Sequence, residues 1–240
     1  MSFQLLSFAN PDELARAAAG DWVREIQSAR SARKPHSVAL SGGRITQKFF
    51  TETVAQAQAG KVALDQVEFF WADERCLPPS DPESNFKLAN ERLFAPLKIS
   101  ASRIHRLRGE IPPAEAVEMA RAEIVAIAPA GASGQPVLDL VLLGMGEDGH
   151  VASLFPNTTE EAWNATASFL VVRDSPKPPP TRITLSLAAI VAARNVWVLA
   201  SGSAKTDAFQ QSLNPDGKTP LARVIQARSS TRIYSDIVRI

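Results

Sequence analysis

Short apolar runs that alternate with longer amphipathic segments are the feature of this chain that most constrains its fold. The clearest run, residues 138–143, is apolar at nearly every position, as is usual for a strand buried on both faces of a parallel sheet. Asn10 can cap a helix that begins at Pro11, with Asp12 and Glu13 in its first turn. Strands that alternate with helices predict an α/β fold with a mostly parallel, twisted sheet and helices on both faces.

The same pattern places the individual elements along the chain. Strands are predicted at residues 4–8, 37–40, 67–71, 104–107, 138–143, 169–172, 196–200 and 231–234. Helices are predicted at residues 11–29, 44–54, 85–94, 113–128 and 205–213. The stiff proline run 176–180 is too short to separate domains, so residues 1–240 are expected to form a single domain.

Charge, hydropathy and cysteine content exclude several functional classes. The 240 residues carry 26 basic and 25 acidic side chains without a long basic run, which is not the pattern of a nucleic-acid-binding protein. No apolar stretch approaches the roughly 18 residues of a membrane span, and the N-terminus lacks the basic region of a signal peptide. The lone Cys76 excludes an internal disulfide and suits a reducing interior. We expect a cytoplasmic protein, by default a monomer, without nucleic-acid or membrane partners.

The segment 144–150 carries the strongest functional signal. It directly follows the predicted strand 138–143, and ligands of open α/β sheets bind beyond the carboxyl ends of the strands. Its glycines allow a sharp turn and a close approach to a ligand, while Asp148 and His150 supply an acid and a base. These properties favour an active site over the alternative, an ordinary turn with a solvated histidine.

Two other predicted strand ends are also polar. One opens a helix, where amides and a hydroxyl can meet an anion at the positive end of the helix dipole; it consists of Ser41, Gly42, Gly43 and Arg44. It is neither a Walker loop nor a dinucleotide-binding loop, and alone a plain turn would explain it equally well. The other consists of Asp73, Glu74 and Arg75. It follows the aromatic residues 69–71, which argues against a merely solvated charge run.

Six segments together resemble the 6-phosphogluconolactonase family, in the family's order and over nearly the whole chain. They read LSGG at 40–43, WADER at 71–75, SN at 84–85, LLGMGEDGHVASLFP at 142–156, RIT at 182–184 and GSAK at 202–205. The related glucosamine-6-phosphate deaminases share the Ser-Gly-Gly and Asp-Gly-His elements. Their segment after the histidine typically reads Ile-Ala-Phe-Asn-Glu-Pro, and the Glu that they use in proton shuttling is missing from residues 151–156. The lactonase is therefore favoured.

The resemblance implies hydrolysis of 6-phospho-D-glucono-1,5-lactone to 6-phospho-D-gluconate, the second step of the oxidative pentose phosphate pathway. A lactone is an activated ester, so water needs only a base and a polarised carbonyl, and no covalent intermediate is expected. His150 is assigned as the base and Asp148 as the carboxylate that orients it. Asp73 is assigned to ordering the water or the sugar hydroxyls. The chain has no G-x-S-x-G elbow, which argues against a serine hydrolase.

No metal or organic cofactor is expected. The three histidines and one cysteine lack the spacing of a metal site, and lactone hydrolysis involves no redox step. His36 is interpreted as a surface residue and His105 as a structural histidine inside a strand. Cys76 is interpreted as incidental, although the adjacent Arg75 could lower its pKa.

The substrate phosphate needs cationic partners, because charge-assisted hydrogen bonds are stronger than neutral ones. Four cationic side chains lie at or near predicted strand ends: Arg44, Arg75, Arg182 and Lys205. The family resemblance favours Arg182 and Lys205, together with Ser41 and the amides of Gly42 and Gly43.

The other two cations have competing interpretations. Arg75 could instead balance the carboxylates at positions 73 and 74. Arg44 belongs to a loop in which Ile45 and Thr46 stand where the family often has Thr-Pro. Any contact that the family's Thr makes would then come from elsewhere or be absent.

Two other functions remain open for a chain of this kind. One is a sugar-phosphate deaminase or isomerase of the same fold. The other is a non-catalytic sugar-phosphate sensor, since fold does not determine function. A sensor would normally bring a DNA-binding domain, for which this chain has neither a basic helix-turn-helix pattern nor spare length.

Overall fold

A six-stranded parallel sheet organises the structure, a computed structural model that describes residues 3–237. The strands within this range are β1 (Phe3–Ser7), β2 (His36–Leu40), β3 (Val67–Trp71), β4 (Asp73–Arg75), β5 (Leu140–Gly144), β6 (Phe169–Val172), β7 (Arg182–Leu185), β8 (Asn195–Ala200) and β9 (Thr231–Ser235). The parallel sheet has the order β1-β9-β8-β5-β2-β3. Every residue of β2 and β3 is buried, as the apolar runs predicted. The expected mostly parallel α/β fold is confirmed.

Helices connect the strands. They are α1 (Pro11–Ser31), α2 (Arg44–Ala59), α3 (Asn85–Ala89), α4 (Ala95–Leu97), α5 (Pro113–Ile127), α6 (Glu160–Trp163), α7 (Leu187–Ala192), α8 (Thr206–Leu213) and α9 (Pro220–Gln226). The side-chain oxygen of Asn10 accepts the N–H groups of Asp12 and Glu13 at 3.1 and 2.9 Å, so the predicted cap of α1 is confirmed. The predicted helix 85–94 is α3 continued by a π-helical turn, Asn90–Phe94.

A second, antiparallel sheet of three strands has the order β4-β7-β6. Residues 169–172 were correctly predicted as a strand, but they lie in this sheet and not in the parallel one. Ala72 joins the two sheets, because its N–H donates to the Leu40 carbonyl and its carbonyl accepts the Leu185 N–H, both at 2.7 Å. Ala72, the pivot residue between the two sheets, thus places Asp73, the first residue of β4, where the sheets meet.

The predicted strand 104–107 is wrong. Ile104 forms only an isolated bridge with Phe69, and the His105 N–H donates to the Phe69 carbonyl at 2.8 Å. The pairing stops after this contact, so no ladder develops. His105 is nevertheless structural, as expected: its Nε2 lies 2.9 Å from a Glu68 carboxylate oxygen, and its ring stacks on Phe70.

The prediction that His36 lies at the surface is wrong, and the surroundings of Cys76 raise rather than lower the pKa of its thiol. His36 is buried, and its Nε2 accepts a hydrogen bond of 3.1 Å from the indole N–H of Trp22. Burial lowers the pKa of His36, which keeps the imidazole a neutral acceptor. Burial likewise raises the pKa of the Cys76 thiol, with the charge of Glu74 adding to the effect, so the expected influence of Arg75 does not prevail.

One hydrophobic cluster includes side chains from both sheets. Its aromatic centre stacks Trp22 on Phe49 at 5.4 Å and sets Phe69 edge-on to Phe94 at 4.9 Å between ring centroids. Within residues 3–237, no helix is both long and apolar enough to cross a membrane. Residues 1, 2 and 238–240 lie outside the described range, so the extension of the single domain to 1–240 stays a prediction.

Candidate active site

A cavity of about 400 Å³ opens at the carboxyl ends of β2, β5 and β8, the location expected for a ligand site in an α/β sheet. Nine of the ten residues predicted for the site line it: Ser41, Gly42, Gly43, Arg44, Asp73, Arg75, His150, Arg182 and Lys205. The tenth, Asp148, contacts His150 rather than the cavity itself.

The imidazole of His150 is held by the carboxylate of Asp148. Nδ1 of His150 lies 2.5 Å from Oδ1 of Asp148, and the same oxygen accepts the His150 backbone N–H at 3.2 Å. The Gly146 N–H closes the turn by donating to the His150 carbonyl at 2.9 Å. Because Nδ1 is engaged, Nε2 is the ring nitrogen that remains for proton transfer.

Two glycines make this turn possible. A Cβ on Gly146 would lie 2.0 Å from Nδ1 of His150, a distance that no side chain permits. Gly149 has a φ of +79°, and its carbonyl accepts the Leu221 N–H at 3.1 Å at the start of α9. These two glycines therefore shape the contact between His150 and Asp148 rather than a contact with ligand.

Asp148 remains ionised beside the histidine. Burial alone would raise the pKa of Asp148, but the hydrogen bond and the charge of His150 hold the pKa below its usual range. Lys177 adds to this lowering through its charge. A carboxylate at this position can stabilise the imidazolium that forms when His150 accepts a proton.

Asp73 is fixed by donors from two other segments. The Ser153 hydroxyl donates to Oδ2 of Asp73 at 2.7 Å. Nδ2 of Asn85 lies 3.4 Å from Oδ1 and donates to the Asp73 carbonyl at 2.9 Å. Asp73 is only 5% exposed and lines the cavity, so it presents a carboxylate of fixed orientation.

The neighbouring Glu74 organises the loop that carries Asn85. Its carboxylate accepts the N–H groups of Arg75, Asn85 and Phe86 at 2.7, 2.9 and 2.8 Å, and the Ser84 hydroxyl at 3.1 Å. Burial raises the pKa of Glu74, and the three N–H donors oppose that rise. Glu74 thereby anchors the start of α3, from which Asn85 contacts Asp73.

The 41–43 loop is tied to its neighbours by contacts within the protein. The Ser41 hydroxyl donates to the Leu142 carbonyl at 2.8 Å. Its one hydrogen therefore links the end of β2 to β5. A Cβ on Gly42 would lie 1.8 Å from Oδ1 of Asn85. Thr46 donates its hydroxyl to the Gly42 carbonyl at 2.9 Å, while Ile45 is buried and lines the cavity. The amides of Gly42 and Gly43 stay the predicted anion contacts of this loop.

Lys205 and Arg182 lie in different electrostatic surroundings. Burial lowers the pKa of Lys205, and the charge of Arg44 lowers it further. Arg182 donates from Nε to the Pro179 carbonyl at 3.2 Å, and from Nη2 to the carbonyls of residues 177 and 178 at 3.1 Å. Burial lowers the pKa of Arg182, and the charge of Asp73 opposes this. Carbonyl groups of the proline run thus hold Arg182 in place.

The guanidinium of Arg75 pairs with Glu83 and not with the carboxylates that were the alternative partners. Its guanidinium donates to the Glu83 carbonyl and lies 3.7 Å from the Glu83 carboxylate. Glu147, in the same segment as His150, is exposed.

Nine further residues that were not predicted for the site line the cavity, among them Lys48, Asn85, Ser201 and Gly202. Lys48 follows Arg44 by one helical turn on α2, so helical periodicity could have identified it. Its ammonium lies 2.5 Å from a carboxylate oxygen of Asp12. Asn85 and Gly202 fall within the SN and GSAK segments of the family resemblance, which could have identified them, whereas Ser201 has no distinctive pattern of its own.

Metal ligands do not gather within residues 3–237: no group of three or more His, Cys, Asp or Glu side chains there could hold an ion. Metal independence and the monomeric state both stay predictions.

Comparison with known families and proteins gives concordant matches. The family model described as glucosamine-6-phosphate isomerases/6-phosphogluconolactonase matches residues 9–234. The 6-phosphogluconolactonase of Mycobacterium leprae is 35% identical over 232 residues, covering 94% of this chain and 92% of that protein. That of Streptomyces coelicolor is 34% identical over 221 residues, covering 90% of this chain and 84% of that protein.

Solved structures show the same fold. The 6-phosphogluconolactonase of Trypanosoma brucei superposes with a TM-score of 0.83 at 28% identity, covering 98% of this chain and 97% of that one. A monomeric glucosamine-6-phosphate deaminase superposes with a TM-score of 0.80 at 18% identity, covering 99% and 98%. At that identity the deaminase shares the fold alone.

Proposed function

We propose that this chain, which belongs to the glucosamine-6-phosphate isomerase/6-phosphogluconolactonase family, hydrolyses 6-phospho-D-glucono-1,5-lactone to 6-phospho-D-gluconate with His150 as general base. The observation that carries the mechanism is the contact between His150 and Asp148 at the edge of a cavity with several cationic side chains. The curated relatives that support the reaction are named 6-phosphogluconolactonase and cover most of the chain.

The reaction needs one proton acceptor that later becomes a donor. Nε2 of His150 takes a proton from water as the water oxygen bonds to the lactone carbonyl carbon. Asp148 stabilises the resulting imidazolium through Nδ1. The bond between that carbon and the ring oxygen then breaks, and His150 returns the proton to the ring oxygen. The new carboxylic acid loses its proton to solvent, so no covalent enzyme intermediate forms.

Asp73 and the cations divide the remaining tasks in this proposal. Asp73, held by Ser153 and Asn85, orders the attacking water or the sugar hydroxyls. Arg182, Lys205 and the amides of the 42–43 loop bind the phosphate, with Arg44 and Arg75 as further lining cations.

The phosphate assignment is tested with the phosphorylated product and an unphosphorylated lactone. Neutralising Arg182 or Lys205 should weaken binding of 6-phosphogluconate far more than it slows hydrolysis of unphosphorylated gluconolactone. Equal losses on both would mean that these residues serve the chemistry or the fold.

The decisive assay compares freshly prepared 6-phosphogluconolactone with glucosamine 6-phosphate as substrates of the purified protein. Acid release from the lactone above its spontaneous rate, without ammonia release from the amino sugar, is the expected result. Ammonia release alone would assign the chain to the deaminases, and binding without turnover of either compound would assign it to sensors.

A further inference from the structure

Asp236 holds the loop between β8 and α8 from outside the cavity. Its Oδ2 accepts the Ser201 hydroxyl at 2.9 Å, and its Oδ1 accepts the Gly202 N–H at 3.0 Å. Ser201 and Gly202 line the cavity, whereas Asp236 follows β9, the strand that pairs with β8. Both oxygens of one carboxylate are therefore engaged with consecutive residues of a cavity wall.

The held loop is the one from which Lys205 extends. Gly202 has a φ of +102°, a conformation that side chains disfavour and that an external contact can stabilise. Its carbonyl accepts the Lys205 N–H at 3.1 Å at the start of a 3-10 turn, Ser203–Lys205. A chain of contacts thus runs from Asp236 through both peptide groups of Gly202 to the backbone of Lys205.

We propose that Asp236 is a positioning residue for the phosphate end of the substrate, because it fixes the Ser201–Gly202 loop that presents Lys205 to the cavity. The proposal rests on the proposed function in that the anion is the substrate phosphate. Asp236 does not touch the anion itself; it acts through Gly202. Burial and the charge of Arg44 lower the pKa of Lys205, and the negative charge of Asp236 opposes this lowering.

The sign of the expected effect separates positioning from bulk electrostatics. Removing a carboxylate near an anion site should tighten anion binding if charge alone matters, because one repulsive group is lost. Removing a carboxylate that orders the binding loop should weaken anion binding. Asp236→Ala therefore gives opposite results under the two interpretations.

The test uses three variants and two substrates. In Asp236→Ala we expect KM for 6-phosphogluconolactone to rise about tenfold, because that is the effect expected from losing one hydrogen bond to a charged group. We expect kcat to stay within about twofold of the wild-type value. Asp236→Asn should stay near wild type, because an amide can accept the Gly202 N–H and donate to Ser201. Asp207→Ala, which removes an exposed charge two residues after Lys205, should not raise KM. Kinetics with unphosphorylated gluconolactone should be alike in all four proteins.

Two readouts do not depend on turnover. Hydrogen exchange of the Gly202 amide should accelerate in Asp236→Ala and not in Asp236→Asn, and the Kd for inorganic phosphate should rise about tenfold in the alanine variant alone. If wild type fails to hydrolyse the lactone, the proposed function fails, and these two readouts still decide the role of Asp236. An alanine variant with unchanged KM and phosphate affinity would overturn the proposal. So would equal losses in Asp236→Ala and Asp236→Asn, or equal losses on both lactones.

Discussion

The Ser153 hydroxyl donates to Oδ2 of Asp73 at 2.7 Å, across 80 residues of sequence. Ser153 belongs to the segment that carries His150, and Asp73 follows the pivot between the two sheets. The Ser153 N–H in turn donates to the Thr184 hydroxyl at 3.1 Å, on β7. One buried serine therefore links the Asp73 carboxylate directly to the segment that carries His150.

Replacing Ser153 with alanine should affect both stability and activity. The change leaves a buried carboxylate oxygen without its donor, which destabilises the fold by about 1–3 kcal/mol. Because Asp73 is then displaced, kcat/KM should fall roughly tenfold. Urea unfolding and initial rates would measure the two effects. Ser186→Ala is the matched control, since Ser186 is equally buried but caps α7. It should lose stability and keep its kinetic constants; a Ser153→Ala enzyme with wild-type kinetics would contradict the prediction.

His150→Ala should lower turnover by about two to four orders of magnitude, because the general base is lost. Folding and product binding should change little, since the ring is a cavity-lining group. Circular dichroism, product titration and initial rates together check this expectation. Near wild-type turnover in the variant would refute the assignment of the base.

Gly146→Ala should mimic much of the loss of His150 while leaving the histidine in place. The added Cβ would lie 2.0 Å from Nδ1 of His150 and 2.8 Å from Oδ1 of Asp148, so it must separate the two side chains. We expect kcat to fall about 100-fold, as for other displacements of about 1 Å in a catalytic group. Gly134→Ala controls for the loss of a loop glycine without a clash, because nothing lies within 4 Å of the new atom there. Similar kcat values in the two variants would argue against the steric explanation.

Glu25→Gln should stabilise the protein above pH 6 and not below pH 4. Burial raises the pKa of Glu25 from 4.5 to about 6, and the charge of Arg232 opposes the rise. Between these two pH values the folded state binds more protons than the unfolded state. The free energy of unfolding therefore falls as the pH rises through this interval. The glutamine variant avoids this loss, worth about 1 kcal/mol once solvent access is allowed for. Denaturant unfolding at pH 4 and pH 7.5 checks the sign, with the exposed Glu91→Gln as control. A gain of equal size at both pH values would show that ionisation is not the cause.

Activity should survive exhaustive dialysis against a strong chelator. The proposed chemistry uses water, a histidine and fixed carboxylates, and none of its steps requires a metal ion. Rates before and after dialysis, against a mock-dialysed sample, would measure this. Loss of activity that a divalent ion restores would disprove the prediction.

The parallel sheet could be predicted because most of its strands are apolar runs of five or six residues separated by clear helical patterns. The antiparallel sheet was largely missed for the opposite reason. Asp73–Arg75 is polar and only three residues long, and it pairs with Thr184 more than 100 residues away. Short strands of this kind are stabilised by pairing with a segment distant in sequence, and local hydrophobic periodicity does not identify them.

The site was easier to predict from sequence than were the contacts that support it. Asp148, His150 and the cationic residues stand at strand ends, where chemistry and position coincide. Asn85, Ser153 and Asp236 act through the groups that they hold. Asn85 and Ser153 fall within segments of the family resemblance, but their roles depend on partners in other segments, and Asp236 has no sequence pattern of its own. His36 was misjudged for a related reason: its imidazole bonds to Trp22, 14 residues earlier on another element.

The pairing of β1 with β9 has a consequence for how the molecule folds. Gln4 and Arg232 are register partners although 228 residues separate them, so this ladder closes a very long chain loop. Contacts of such separation form slowly, because the entropy of loop closure opposes them until other structure is in place. Asp236 comes one residue after this ladder. During refolding we therefore expect tryptophan burial to precede the recovery of phosphate affinity, with the anion-binding loop among the last parts to become ordered.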